Sequence, residues 1–498
     1  MISSILLSSL PMLVSFSGWV SSATTDQYMW PPSEAGQAHG PSWLQFANAT
    51  MRWSTYAAPT INEVFIPRSE DDLSAGLRYL SSSNKTWLAK SGGHGYSVTL
   101  RTIQDATLID MENFAYVNMN ADMSVTVGTG TTFDDLIDVL GGSGREITVG
   151  FCASVGVVGA TVGGGLGRLE GLHGLTSDAL TRVRMALWNG TIVEASDAVN
   201  QDLFWGVRGA GQNFGIIIEV TFETYPATNG GMQYSSDLTF TVDKLEAVLN
   251  VTNSLLEPEL DPTLAIATSI SPDPTTLEPG IRLNIVYHGP FENGQEFRKL
   301  YSPFSSGFTE QMTTWTNLTS VAFPDIVAGA LINGNPHNQY SVLTRNLPIE
   351  SLREAVTSLG SFAKQYPTAN ESNIFIETFG QKGVEALPQE YSAFPHRNSF
   401  RNAIVFSMTY PNNATAAVAD AADSWALGMR NKFAQPDVSG YDRLQIYQNY
   451  AHGDEPLSAL YGYEEWRHER LTKLKNTYDP HGFFNGYHAI PSNLADWS

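Results

Sequence analysis

A chain of 498 residues with 42% hydrophobic and 11% aromatic side chains is too long for one ordinary core and too apolar for global disorder, so two or more domains are expected. Its net charge of −22 repels phosphate backbones and anionic bilayers, which excludes nucleic acid and membrane surfaces as expected partners. The single cysteine, Cys152, excludes an internal disulfide.

The chain opens on an apolar leader that runs through Ile5-Leu6-Leu7 and Met12-Leu13-Val14 to small residues at Ser21-Ser22-Ala23, with no Lys or Arg before it. No later run is long enough to span a bilayer. Sequons at Asn48, Asn84, Asn189, Asn250, Asn317, Asn370 and Asn413 fit passage through the secretory pathway. The mature protein is therefore expected to be soluble and secreted, or lumenal. A secreted chain normally uses disulfides, so Cys152 is either an inert buried thiol or a sulfur committed to something other than cysteine.

After an N-terminal arm, Val64-Phe65-Ile66-Pro67 reads as a strand ending at proline. Ser69-Glu70-Asp71-Asp72 then caps a helix over 73–81. The short strand Trp87-Leu88-Ala89 runs into Lys90-Ser91-Gly92-Gly93-His94-Gly95-Tyr96. Two adjacent glycines let the backbone approach a ligand closely, and their N–H groups form a concave anion site suited to a pyrophosphate. A histidine directly after that cradle puts an imidazole beside whatever the phosphates carry.

Apolar runs at 107–110, 116–118 and 124–128 read as strands, followed by a helix over 133–140. A second glycine-dense stretch runs from Gly150-Phe151-Cys152 through Gly163-Gly164-Gly165 to Asp178. Strands over 183–188 and 191–195 flank an Asn189-Gly190 turn, and a β-rich run covers 216–225. Composition shifts at 226–231, a candidate boundary. Beyond it, strands over 233–241, 264–271, 281–287, 373–379 and 404–409 alternate with helices over 242–254, 349–365 and 414–432, an α+β pattern. A last helix over 464–476 ends at Tyr478-Asp479-Pro480. The apolar Phe483-Phe484-Asn485-Gly486-Tyr487 should pack back onto the first domain.

Several chemistries are set aside by spacing. Neither Gly163-Gly164-Gly165-Leu166-Gly167 nor Gly209-Ala210-Gly211 matches a dinucleotide fingerprint with its distal acid. There is no Walker loop and no G-x-S-x-G elbow. One cysteine and dispersed histidines, His396 and His452 among them, argue against zinc, and no metal is expected.

Six stretches taken in order carry a resemblance: KSGGHGY (90–96), GFCASVGVVGATVGGGLGRLEGLHGLTSD (150–178), DLFWGVRGAGQNFGI (202–216), AFPHR (393–397), YQNY (447–450) and YDPHGFF (478–484). Together they closely resemble the berberine-bridge-type flavin oxidases of the vanillyl-alcohol-oxidase superfamily, over about 60–491. The resemblance implies an α+β fold: a two-part PCMH-type FAD-binding domain (58–228), and a substrate domain with an antiparallel sheet (229–455). A C-terminal berberine-bridge-type segment (456–498) would return to the FAD domain. A signal peptide (1–22) and the arm (23–57) precede them.

The resemblance also implies FAD, bonded through its 8α carbon to His94 and, in family members with two links, through C6 to a cysteine at the position of Cys152. Ala153 stands where the family often has Pro, and Lys90 where it usually has Arg. The cofactor set implied is His94, Cys152, Lys90, Ser91, Gly92, Gly93, Gly95, Val155, Gly156, Gly159, Gly164, Gly165, Gly215, Ile216 and Asn485. Val155 matches a position where valine tends to admit oxygen. Tyr450 is expected as catalytic base and Tyr447 as its companion, positioning substrate. A phenol near pKa 10 needs a neighbouring charge or hydrogen bond to serve as base. Glu377, and the strand after Arg397 through Met408 and Tyr410, are expected to face the flavin. The implied function is hydride removal from a small organic substrate with O2 as the second substrate. An alcohol, phenolic or amine-type carbon of a secondary metabolite is expected, and the alternatives are an oligosaccharide oxidase or a flavin-binding protein without turnover.

Overall fold

The computed structural model describes residues 30–324, 327, 329, 332–398 and 401–497; the expected leader over 1–22 and the start of the arm lie outside them. Near the N-terminus, β1 (Ala38–His39), β2 (Ile61–Phe65), β3 (Trp87–Lys90) and β4 (Ala106–Asp110) form a sheet in the order β1-β2-β4-β3. Both β2 and β3 run parallel to the central β4. Parallel strands need a crossover, and helix Glu70–Ser82 supplies it between β2 and β3. Ser69 Oγ accepts the Asp72 N–H at 3.2 Å, and three acids fill the first turn, where the helix dipole favours them. The Leu73, Leu77 and Leu80 side chains are buried with Phe65, Trp87 and Ile109.

A second sheet takes β5 (Val117–Met119) and β6 (Val125–Gly128). After the short β7 (Arg145–Glu146), it continues with β8 (Leu180–Ala186), β9 (Ile192–Ser196) and β10 (Ile216–Phe222). Its order is β5-β6-β10-β8-β9, antiparallel throughout, while β7 pairs with β11 (Tyr225–Pro226). The hairpin between β8 and β9 closes one residue wider than a two-residue turn, with the Leu187 N–H on the Thr191 carbonyl at 2.8 Å and Gly190 at φ +75°. Helices Phe133–Gly142 and Gln201–Ala210 bury Leu136, Leu140, Leu203 and Phe204 in the core of this sheet. The C-terminal helix Glu465–Tyr478 buries Leu471 and Leu474 in that same core. Beyond it, Phe483 stacks on Trp87 of β3 with centroids 4.5 Å apart, so the chain's last segment packs on both N-terminal sheets.

The third sheet has seven antiparallel strands: β12 (Met232–Thr241), β13 (Leu264–Pro272), β14 (Pro279–Tyr287), β15 (Gly307–Thr314), β16 (His337–Thr344), β17 (Asn373–Phe379) and β18 (Asn402–Thr409). They are ordered β15-β12-β14-β13-β17-β18-β16. Helices Leu245–Leu255, Phe291–Tyr301, Ile349–Gln365 and Ala416–Phe433 cover one face through a continuous apolar core. The expected α+β class is what is observed, but β15, β16 and helix Phe291–Tyr301 are absent from the sequence reading. Strand β15 is an exposed edge that alternates polar residues with Phe308 and Met312, and β16 places Gln339 on a cavity instead of in a core. Neither presents the apolar periodicity that marks a strand.

The AFPHR stretch is a structural tie. Arg397, fully buried, forks onto both oxygens of Asp178, with its NH1 2.9 Å from Oδ2, and also donates to Ser392 Oγ at 2.8 Å. Asp178 Oδ2 accepts the Leu175 N–H at 2.9 Å as well, so the glycine-rich stretch that ends at Asp178 is locked to the chain leading into β18. Arg397→Met strands a buried carboxylate and should destabilise by about 3–5 kcal/mol, read as a lowered urea midpoint; an unchanged midpoint would show that the pair carries no net weight.

Candidate active site

A cavity of about 820 Å³ lies between the two N-terminal sheets and the open face of the third. Its wall begins where β3 ends. The Lys90 ammonium sits 2.7 Å from Asp110 Oδ2 on the neighbouring β4 and 2.7 Å from the Ala49 carbonyl, so its charge is spent on fixing the strand end. Ser91 Oγ donates to the Thr129 carbonyl at 2.5 Å. A Cβ on Gly92 would fall 2.5 Å from the Gly156 backbone nitrogen, and one on Gly156 would fall 2.7 Å from that of Gly92. Two chain segments 64 positions apart therefore meet backbone to backbone, as only glycine permits. Gly93 has φ +75°, and its carbonyl accepts the Trp53 N–H at 3.2 Å.

This contact sets His94 beside the cysteine segment. Ser154 Oγ lies 3.2 Å from His94 Nε2 and 3.3 Å from Cys152 Sγ. The His94 ring stacks on Trp53 with centroids 5.7 Å apart, and Trp53 in turn stacks on His337 at 4.1 Å. His337 donates from Nε2 to the Ile332 carbonyl at 3.0 Å and accepts from Thr409 Oγ1 at Nδ1, 3.0 Å away. Burial, reinforced by His337 and the Arg52 guanidinium, pushes His94 down to about 4, so its imidazole is neutral and able to act as a nucleophile at physiological pH.

The YQNY stretch is a 3₁₀ turn, Gln448–Tyr450, whose two tyrosines have different surroundings. The Tyr447 oxygen accepts three N–H bonds, from Gly165 at 3.0 Å, Leu166 at 3.3 Å and Asn449 Nδ2 at 2.6 Å. Burial nevertheless raises its pKa. Its oxygen is thus engaged by the glycine stretch, and the ring alone faces the cavity. Tyr450 lies near the carboxyl of Glu377 on β17, whose Oε2 has no hydrogen-bond partner among the described residues, and each shifts the ionisation of the other. Burial lifts Glu377 to about 7 against the opposing pull of the Tyr450 hydroxyl and the Arg168 guanidinium. Arg168 is itself buried and lies flat over Phe151, 3.9 Å from the ring centroid. Burial first, then Glu377, drives the Tyr450 phenol well above its ordinary value.

Of the cofactor set, Lys90, Ser91, Gly92, Gly93, His94, Gly95, Cys152, Val155, Gly156, Gly159, Gly165, Gly215 and Ile216 line this cavity. Gly164 and Asn485 do not. Gly164 backs onto the Phe394 ring, and Asn485 packs over the turn at Gly482; Gly486 and Tyr487 reach the wall instead. Glu377 lies behind the wall, two residues beyond the lining Phe375 on the same strand face. Tyr410 and Met408 point into the helix-covered core, leaving Val405, Ser407 and Thr409 of β18 toward the cavity. Sequence reasoning missed Arg52, Trp53, Ser154, Arg168, His337 and Asn449, none of which lies at a position that periodicity or spacing marks. Gly159 has open space where a Cβ would stand, and at Gly93 the nearest atom to that position is 3.6 Å away. A phosphate-bearing flavin dinucleotide fits this donor set and the neutral imidazole beside it. Among the described residues no group of three or more His, Cys, Asp or Glu could hold a metal ion, and no helix is long and apolar enough to cross a membrane.

The comparisons agree with the geometry. A family described as "FAD binding domain" matches residues 61–196, and one described as "Berberine and berberine like" matches residues 446–491. The chain is 33% identical over 470 residues to a Neurospora crassa protein named FAD-linked oxidoreductase srdI, covering 93% of this chain and 91% of that one. It is 32% identical over 459 residues to FAD-linked oxidoreductase OXR1 of Pyricularia oryzae, covering 91% and 88%. Among solved structures, a chitooligosaccharide oxidase superposes with TM-score 0.77 at 20% identity, covering 91% of this chain and 96% of that chain. An Acremonium strictum glucooligosaccharide oxidase, described as carrying 6-S-cysteinyl, 8α-N1-histidyl FAD, superposes with TM-score 0.79 at 19% identity, covering 92% and 97%. The glycine-walled cavity, the matched FAD-binding domain and the relatives define an FAD-linked oxidoreductase. The chain belongs to the berberine-bridge-like family of FAD-linked oxidoreductases.

Two substitutions separate the roles of the wall. Gly92→Ala forces the two loops apart and should abolish flavin retention, measured as the ratio of visible to protein absorbance; a normally pigmented variant would show the contact to be dispensable. Tyr447→Phe leaves two buried backbone N–H groups without their acceptor and should cost about 1–3 kcal/mol of stability, read in the same urea titration.

Proposed function

We propose that this FAD-linked oxidoreductase is an oxidase, secreted or lumenal, that takes hydride from a hydroxyl-bearing carbon of a small organic substrate and passes the electrons to dioxygen as hydrogen peroxide. The observation that carries it is Tyr450 in the cavity wall with the buried carboxyl of Glu377 close behind it. FAD bound along the glycine wall supplies a two-electron acceptor, linked at His94 and also at Cys152. Tyr450 accepts the proton of the substrate hydroxyl as it yields its own to Glu377, and hydride leaves the adjoining carbon. Arg168 keeps the Glu377 carboxylate available, since without that charge burial alone would raise its pKa further. Val155, beside Cys152 in the wall, supports access for oxygen.

The substrate is a small molecule that fits a cavity of about 820 Å³. The cavity-facing strands present Gln339, Asn373, Ser407 and Thr409, neutral hydrogen-bonding groups, together with Arg282 and the aromatic side chains of Phe375 and, from the glycine stretch, Phe151. This mixture suits a hydroxylated aromatic or alicyclic secondary metabolite. The row of amides and hydroxyls also favours a second reading, an oligosaccharide. Peroxide release over a panel of sugars and phenolic polyketides separates the two, and a protein that releases none with any compound is a binding protein. Secretion is supported by the sequons. Asn48, Asn84, Asn189, Asn250, Asn317 and Asn413 are exposed, and Asn370 is half-buried at the cavity wall.

Acid precipitation should leave the yellow chromophore on the polypeptide, and full release would refute the bond at His94. Tyr450→Phe should slow flavin reduction by about 10² or more, as loss of a general base does. The carboxylate is the working form of Glu377, so the reduction rate should rise with pH through about 7 and then level. Glu377→Gln should be slow and lack that rise; a variant with wild-type rate and profile would remove the pair from the mechanism.

A further inference from the structure

His94 and Cys152 come from different chain segments, yet one hydroxyl reaches both. Ser154 Oγ stands 3.2 Å from His94 Nε2 and 3.3 Å from Cys152 Sγ. It sits on a fixed turn: the Val155 N–H reaches back to the Cys152 carbonyl at 3.4 Å, and the Asp134 and Phe133 N–H groups hold the Ala153 and Val155 carbonyls, each at 3.0 Å. Gly156 then presses on Gly92. The backbone that carries the serine is therefore held where its hydroxyl is within reach of both partners.

A hydroxyl gives one hydrogen and accepts on its lone pairs, so this three-member chain has two proton arrangements. In one, Sγ donates to Ser154 and Ser154 donates to Nε2. The imidazole hydrogen then sits on Nδ1, which has no lone pair with which to form a bond. In the other, Nε2–H donates to Ser154 and Ser154 donates to Sγ. That arrangement leaves a lone pair on Nδ1 and directs the serine hydrogen at the sulfur. Nδ1 makes no hydrogen bond among the described residues, and the His94 ring lines the cavity. The second arrangement makes Nδ1 a nucleophile while the same hydroxyl holds the sulfur in position.

We propose that Ser154 is a positioning residue for cofactor attachment: it occupies Nε2 of His94 so that Nδ1 is the bonding nitrogen, and it readies Cys152 Sγ as the second nucleophile. The inference rests on the reading of this cavity as the site of a linked FAD, and deepens it. At His94 the step forms a bond from Nδ1 to the 8α carbon and breaks one C–H bond there, while the imidazole hydrogen leaves from Nε2 through Ser154. At Cys152 a bond from Sγ to C6 replaces the S–H and the C6–H bonds. Each linkage leaves two electrons on the ring system, and dioxygen takes them with the two released protons, giving one hydrogen peroxide per bond formed.

The test compares wild type, Ser154→Ala and Ser154→Thr, all produced with abundant riboflavin. Flavin retained after acid precipitation is measured, and flavin-bearing peptides are weighed and their histidyl linkage is assigned by NMR. Ser154→Ala should still bind FAD reversibly, which reports a folded cavity. Its doubly linked fraction should fall about tenfold or more, as when a histidine ligand loses the partner that orients it. Threonine keeps the hydroxyl and should restore most of that fraction. Wild-type linkage in Ser154→Ala, no rescue by threonine, or a bond at Nε2 in the wild-type peptide would each overturn the proposal while leaving the FAD reading standing. A wild-type protein without any linked flavin would overturn both.

Discussion

The meeting of Gly92 with Gly156 is the contact on which the rest of the site depends. Any Cβ at either position would drive into the opposite backbone, so the approach exists only because both residues are glycine. Once the two strands of chain are that close, neighbouring side chains have little choice of partner. His94, two residues beyond Gly92, comes within reach of Ser154, two residues before Gly156, and Cys152 follows. Ser91 and Lys90 secure the same loop from its other end through Thr129, Asp110 and Ala49. The imidazole is thus held by geometry set in the backbone, and burial keeps it neutral.

Across the cavity the chemistry is organised by charge. A carboxylate as buried as Glu377 would ordinarily stay protonated, and the Tyr450 hydroxyl, with the Arg168 guanidinium behind it, restrains the shift to about 7. Arg168 can be that charge because it follows the glycine stretch directly and lies over Phe151, where a planar cation is tolerated against an apolar face. The neighbouring Tyr447, tied by three N–H donors, holds the glycine stretch in place and keeps the turn carrying Tyr450 against it. Two tyrosines three residues apart are thus divided between structure and chemistry by what their oxygens meet.

The N-terminal arm joins the two walls. The Trp53 N–H holds Gly93 and Arg52 donates to the Gly95 carbonyl at 2.7 Å, both on the histidine loop. On the other side, Gly334 N–H meets the Arg52 and Trp53 carbonyls at 3.0 Å, and Ser54 Oγ donates to the His337 carbonyl at the start of β16 at 2.7 Å. The indole of Trp53, stacked on His94 and His337, is the middle of this strap. β16 and His94 are thus joined by a short series of stacked rings and backbone bonds.

By itself the sequence determined the α+β class, the crossover helix with its Ser69 cap, most strands of the third sheet, and the glycine cradle with His94 and Cys152. These are local properties: periodicity, capping and backbone freedom act over a few residues and leave their mark in neighbouring letters. Tertiary structure alone decided that Ser154 stands between His94 and Cys152, that Glu377 comes near Tyr450 while Tyr447 is engaged elsewhere, and that the Arg168 charge acts on Glu377. It also removed Gly164 and Asn485 from the cavity wall and hid β15 and β16, whose polar residues answer to an edge and a cavity. A pKa near 7 or a shared hydroxyl depends on which distant groups are brought together and on how much water is excluded, and neither quantity is written in any short stretch of chain.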